Sequence, residues 1–275
     1  MRGGMAQGKT SERKELEKSL EAARGRVLQA LLEADWLELF EIPQIEATLV
    51  GKVGLWRNEL ERSELQALQA ERRCELARKE LEQRGSVDVD AVEREVEWEF
   101  AQRREQLRKQ ERACSAVING QRVRECCSAE RESELKELHR TLISRLHPLL
   151  NPWVDDTART KFRIARLALK KVDVTMMRSV EDATRMLERA TEASWRLLSE
   201  EELNAEVVLM EAKEPLAVER LVRVKLRSPY TMRAHVASSD WVQGKVGEIC
   251  EQIERNRERV ALYQAYYLEL VSKAA

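Results

Sequence analysis

From Val242 to Leu270 the residues Val242, Val246, Ile249, Ile253, Asn256, Val260, Tyr263, Tyr267 and Leu270 alternate steps of four and three. Such a heptad seam, sustained over about four heptads, commits the chain to a long helix that must be buried against another helix. The partner is either the N-terminal arm of the same chain or a second copy. Asn256 falls at a core position, where a polar side chain fixes register at some cost in stability. Ser239 or Asp240 is the expected cap, after the Ser228-Pro229-Tyr230 loop.

The rest of the chain carries weaker versions of the same signal. Leu16, Leu20, Val27 and Leu31 begin a helix capped by Ser11 and running to Phe40, and Ile42-Pro43 is expected to break it, by a kink or turn, before a second helix begins. Ile45, Leu49, Val53, Trp56 and Leu60 open a second helix, which Leu65, Leu68, Leu76 and Leu81 extend. Gly85 should close it, and Asp88 or Asp90 should cap a return helix bearing Val89, Val92, Val96, Phe100 and Leu107. Asn119-Gly120 is expected to break this antiparallel hairpin's arm or to be a weak point in a continuous helix, since one internal Gly costs only about 1 kcal/mol. Ser179 with Asp182, Ser199 with Glu202 as a capping box, and Pro215 are the expected starts of three later helices.

Composition agrees. Of 275 residues 35% are charged and 5% aromatic, with only ten Gly and five Pro, which favours long helices over strands and turns. The expectation is all-α and elongated, with long antiparallel coiled-coil helices. The 48 basic and 49 acidic residues leave a net charge of −1, so no overall field attracts nucleic acid or an anionic membrane. No apolar run approaches the roughly 18 residues that span a bilayer, and the leader is too charged for a secretory signal, so a soluble cytoplasmic protein is expected.

Cys74, Cys114, Cys126, Cys127 and Cys250 form no Cys-x-x-Cys pair, and His139, His147 and His235 show no metal or triad spacing. Reduced thiols are expected, with Cys126-Cys127 better read as small residues at a helix junction than as a redox sensor. There is no phosphate-binding Gly-rich loop, and the many carboxylates sit on exposed-looking helical faces. The expectation is no enzyme, no cofactor and no metal.

Glu134 to Val172 reads as helix, short stiff loop, helix. Leu135, Leu138, Leu142 and Leu146 form one stripe and Phe162, Ala165, Leu169 and Val172 the other, while His147-Pro148 and Asn151-Pro152 stop the first helix and Asp155 or Asp156 caps the second. The loop His147-Pro148-Leu149-Leu150-Asn151-Pro152 resembles the HPDLNP loop of bacterial J-domain co-chaperones of DnaK-class ATPases, with five of six positions matching and Leu149 in place of the aspartate. The stretches ATLVGKVGLWR from Ala47, GSVDVDAVEREVEWEF from Gly85 and SPYTMRAHVASSDWVQGKVGEICEQI from Ser228 are similar to the coiled-coil arms of such proteins. The resemblance covers roughly residues 47–270. It implies a J-domain-like (DnaJ-like) chaperone relative, acting by protein–protein interaction, whose partner-binding residues would be His147, Pro148, Leu149, Lys136, Arg140 and Arg145.

Two departures weaken that implication. A leucine at 149 cannot make the charged contact through which the family couples docking to ATP hydrolysis. The first hairpin helix, whose basic face docks the ATPase in the family, here balances Arg131, Lys136, Arg140 and Arg145 against Glu130, Glu132, Glu134 and Glu137. The second helix departs the other way, with Arg159, Arg163, Arg166 and Lys170 at helical spacing and no acid from Thr157 to Val172. An intramolecular or solvated stripe is the first reading of these cations; an acidic protein or phosphate backbone is the other.

The chain thus divides into a disordered leader (1–10), an N-terminal helix (11–43), a coiled-coil hairpin (44–120), a degenerate J-like hairpin (121–175), a helical segment (176–227) and the heptad helix (228–275). An adaptor or scaffold with a weakened or lost DnaK-class contact is the leading expectation. A coiled-coil interaction protein that self-associates without chaperone work comes second, and nucleic-acid binding through the basic stripe third.

Overall fold

The computed structural model describes residues 11–125 and 127–273, without the side chains of 122–125, 188–194 and 196. The leader 1–10 and Cys126 lie outside the described residues. The helices in chain order are α1 (Ser11–Trp36), α2 (Ile42–Leu49), α3 (Leu55–Arg84), α4 (Val89–Glu99), α5 (Ala101–Glu125), α6 (Ala129–Leu146), α7 (Asp156–Lys171), α8 (Val174–Leu197), α9 (Glu200–Lys225), α10 (Arg233–Ala237) and α11 (Ser239–Lys273). Among the described residues there is no strand, and the fold is all-α.

The chain folds into two compact units, each assembled from two separated segments: Met1–Gln44 with Arg122–Thr231, and Ile45–Gln121 with Met232–Ala275. In the first, α6 and α7 form the hairpin and α8 folds back on both, while α1 and α9 pair along their lengths. Its core gathers Leu20, Val27 and Leu31 of α1, Leu135, Leu142 and Leu146 of α6, Phe162 and Leu169 of α7, Met177 of α8, and Leu203 and Met210 of α9. Full burial of side chains of this size stabilises a fold by about 1.5–3 kcal/mol each.

In the second unit the heptad helix finds its partner within the chain. The positions that face inward on α11 are those of the repeat, with Ile249, Ile253, Asn256 and Leu270 buried. They pack on α3 and the wide turn Val50–Gly54 before it: Val53 of that turn meets Ile249 and Ile253, and Cys74 and Ala77 of α3 meet Leu270. The order of these contacts makes α3 and α11 parallel. Asn256 Nδ2 donates to Ser63 Oγ at 3.0 Å, and the Ser63 hydroxyl donates to Leu60 O at 2.8 Å. The other side of α3 takes α4 in the antiparallel sense, through Leu76, Val92 and Val96 and the Arg73–Glu93 and Arg72–Glu99 ion pairs.

Several boundaries follow the local rules. Gly85 closes α3 at φ 71°, a conformation that suits glycine, and donates to Leu81 O. Asp88 caps α4 and Asp155 caps α7, and Ser199 with Glu202 forms the reciprocal box at the start of α9. Ser238 rather than Ser239 or Asp240 accepts from Trp241 N–H.

Others depart from them. Pro43 does not break the chain's helical path: Leu37–Glu41 makes one wide turn, in which Ile42 N–H reaches back to Leu37 O, and Pro43 sits in the first turn of the helix that resumes. Gly120 lies inside α5, which runs on to Glu125 before Ser128 caps α6. The helix expected from Ser179 starts at Val174, capped by Asp173, because Val172 takes the left-handed conformation at φ 59°. Pro215 lies within α9 instead of starting a helix. A proline there costs about 3 kcal/mol, and burial of Leu203, Val207, Met210, Ala217 and Val224 along the same helix outweighs it.

Candidate functional site

The loop of the α6–α7 hairpin is built by its own sequence. His147 ends α6 in extended geometry (φ −69°, ψ 125°), as the residue before a proline must. Its carbonyl accepts from the N–H groups of Leu150 and Asn151 at 3.0 and 2.9 Å. The ring folds back so that Nδ1 accepts from Leu149 N–H at 3.1 Å, and it meets the Phe162 ring edge-on with centroids 5.2 Å apart. Burial pushes the His147 pKa down to about 4, so the ring is neutral near pH 7. Pro148 faces solvent, Leu149 packs half-buried against the core, and Leu150 and Asn151 are fully buried.

Arg24 of α1 locks this loop from behind. Its guanidinium donates to Leu150 O at 2.9 Å, Ser144 O at 2.8 Å and Asn151 Oδ1 at 2.9 Å, while Asn151 Nδ2 donates to Ser144 O at 2.8 Å. The Trp195 ring lies 5.1 Å from the guanidinium carbon. Burial lowers the Arg24 pKa to about 10, which still leaves it charged at neutral pH. Carbonyls that would otherwise be buried without donors are thereby satisfied.

A second polar cluster joins α1, α6, α7 and α9. Asp35 is fully buried. Arg220 bonds its Oδ1, and Arg166 Nε stands 3.2 Å from its Oδ2. Arg166 and Arg220 also bond Glu38 Oε2 at 3.0 and 2.8 Å. His139 Nε2 lies 3.8 Å from Asp35 Oδ2; burial, only partly offset by that carboxylate, pushes its pKa down to about 4. The balance of two carboxylates, two guanidiniums and neutral His139 lets these groups leave water together. Its sequence signal was available: Arg24 and Asp35 both fall in phase with the apolar stripe Leu20, Val27, Leu31 of α1, and a charge at core phase needs a partner.

The partner-binding residues expected from the sequence do not share one surface. Arg145 is 5% exposed and turned inward, donating to Glu181 O at 3.0 Å and Thr184 Oγ1 at 3.2 Å, so it ties α6 to α8. Lys136 is exposed, but bonds Glu132 at 2.7 Å and stands over the Trp36 ring. Arg140 and Pro148 face solvent, His147 and Leu149 only in part. The basic stripe divides too. Arg159, Arg163 and Lys170 are exposed, whereas Arg166 is drawn into the Asp35 cluster.

An open groove of about 630 Å³ runs beside the loop, lined by Pro148, Asp156, Arg159, Phe162, Arg163 and Arg166. Cys74, Cys114, Cys127 and Cys250 are free thiols, and burial raises the pKa of Cys74 and Cys127. Among the described residues no set of three His, Cys, Asp or Glu converges to hold a metal ion, and no helix is long and apolar enough to cross a membrane. The chain matches no protein-family model, no curated protein and no solved structure.

Proposed function

We infer that this chain is a non-enzymatic adaptor or scaffold, a degenerate relative of J-domain co-chaperones that engages a partner protein through its hairpin loop without stimulating a DnaK-class ATPase in the usual way. The observation that carries this reading is the state of the loop: Arg24 clamps it rigidly while Pro148 faces solvent, yet the position of the missing aspartate is a leucine packed on the core. The inward turn of Arg145 and the local pairing of Lys136 further reduce the cationic face that α6 could offer an acidic ATPase surface. Geometry suited to docking thus coexists with lost docking charge.

The test is steady-state ATP hydrolysis by a DnaK-class chaperone from the same cell, with the natural protein and with Leu149→Asp. Stimulation by the variant alone is expected. If neither stimulates, the chaperone link falls and the hairpin is a structural module; if the natural protein stimulates, the reading of Leu149 is wrong.

A second reading, an interaction protein without chaperone work, draws on α9. Val208, Leu209, Leu216, Val222 and Leu226 are 47–73% exposed there, an apolar face of the kind that partners cover. The heptad seam no longer argues for self-association, because α3 fills it. Nucleic-acid binding ranks below both, since Arg166 is withdrawn from the stripe.

A further inference from the structure

We propose that the groove beside the hairpin loop binds an extended, acidic peptide segment of a protein partner, with Arg159 and Arg163 as the anchoring cations. Exposed arginines such as Arg62, Arg72 and Arg257 each hold a glutamate at 2.8 Å or less. In the groove, Arg163 bonds only the neutral Thr160 hydroxyl, at 2.9 Å, among the described residues. Arg159 reaches Asp156 at 3.3 Å, but these side chains are 51% and 98% exposed, so water and salt screen the pair. Arg166 spends its charge on Asp35 and Glu38 and serves as wall. Two guanidiniums with spare donors therefore line a concave surface whose apolar part is Phe162 and Pro148.

The spacing selects the ligand. Residues four apart on a helix advance about 6 Å along its axis. Alternate residues of an extended strand advance about 6.6 Å and point the same way. Carboxylates at positions i and i+2 of an extended segment thus meet Arg159 and Arg163 in turn, each able to accept two parallel N–H bonds. A nucleic-acid backbone fits less well: its affinity grows with the number of phosphates neutralised, and here the cationic track is short, with Glu38 holding Arg166. The inference goes beyond the chaperone reading, because it rests on α7 and not on residue 149, so either can fail alone.

The experiment uses the full chain and a fluorescein-labelled twelve-residue peptide with Glu at alternate positions, followed by anisotropy at low and physiological salt. The peptide is expected to bind, more tightly at low salt, and its Gln-for-Glu counterpart is not. Arg159→Glu with Arg163→Glu should weaken binding about tenfold or more, while Arg223→Glu with Arg257→Glu, at paired and exposed sites, should leave it unchanged. All four positions are exposed, and circular dichroism checks that each variant stays folded. No binding, or equal loss in both double variants, overturns the proposal. So does a single-stranded oligonucleotide of equal charge that binds more tightly than the peptide through the same two arginines.

Discussion

The α1–α9 pair and the α3–α11 pair are both parallel helix pairs drawn from distant parts of the chain, and each buries polar groups at its seam, yet by opposite means. Between α3 and α11 the fully buried hydrogen bond is neutral, Asn256 to Ser63, with Tyr263 reaching Glu71 at the half-buried edge. Between α1 and α9 it is an ionic cluster, Asp35 and Glu38 with Arg220, to which α7 adds Arg166 and α6 adds His139. A neutral pair can be replaced piecemeal at small cost. A buried ionic cluster is all or nothing, because removing one member leaves the others charged in a poorly solvated place.

The largest test of that contrast is Asp35→Ala. It strands Arg166 and Arg220 with Glu38 alone, and a loss of about 3 kcal/mol is expected, at the low end for a broken buried pair because both guanidinium side chains stay about a third exposed. Hydrogen exchange resolved along the chain should show the loss in α1, α7 and α9 and little change in α3 and α11. Uniform loss across both pairs would erase the distinction.

Acidity gives the next largest effect. A histidine whose folded pKa lies below its unfolded value takes up protons more readily when unfolded, so the stability it supports is whole above about 6.5 and drains away as pH falls toward 4. His139 alone accounts for roughly 3 kcal/mol over that window, and His147 adds to it. Urea unfolding followed from pH 7 to 5 should weaken the unit of α1, α6, α7, α8 and α9 first, and His139→Gln should flatten that slope. A slope as steep in the variant as in the natural protein would place the titrating group elsewhere than His139.

Smallest is Asn256→Leu. Ser63 keeps its bond to Leu60 O, so the cost is expected within about 1 kcal/mol of zero, of either sign. What should suffer is register, detected as altered Cys74–Tyr263 proximity by cross-linking or spin labels. If register stays fixed, Asn256 is not its determinant.

These contrasts explain what the sequence made legible. The α11 seam was readable because its information is local: each heptad position repeats within one helix, and the structure needs only a partner of matching phase. The caps at Asp88, Asp155 and Ser199 and the glycine at 85 were readable for the same reason. What was not legible depended on particular distant neighbours. Pro43 and Pro215 signal a stop by local rules, but a wide turn accommodates the first and packing against α1 overrides the second. Arg145 falls in phase with Leu138 and Leu142, the same signal that marks Arg24 and Asp35; Arg166 shares one face with Arg163, and only Asp35 and Glu38 decide that it turns inward. The groove is likewise a product of tertiary placement, since Pro148 lines it from the loop and the arginines from α7.

The bond between Arg220 and Asp35 spans 185 residues, as does that from Arg13 to Leu198 O. In terms of synthesis, at about 5–20 residues per second, Asp35 waits on the order of ten to forty seconds for its partner to be made. Over that interval α1 presents Leu20, Val27 and Leu31 without the helix that covers them. The first helix of this unit is thus made long before the last one that packs against it, and the unit closes only when both ends of its chain are present.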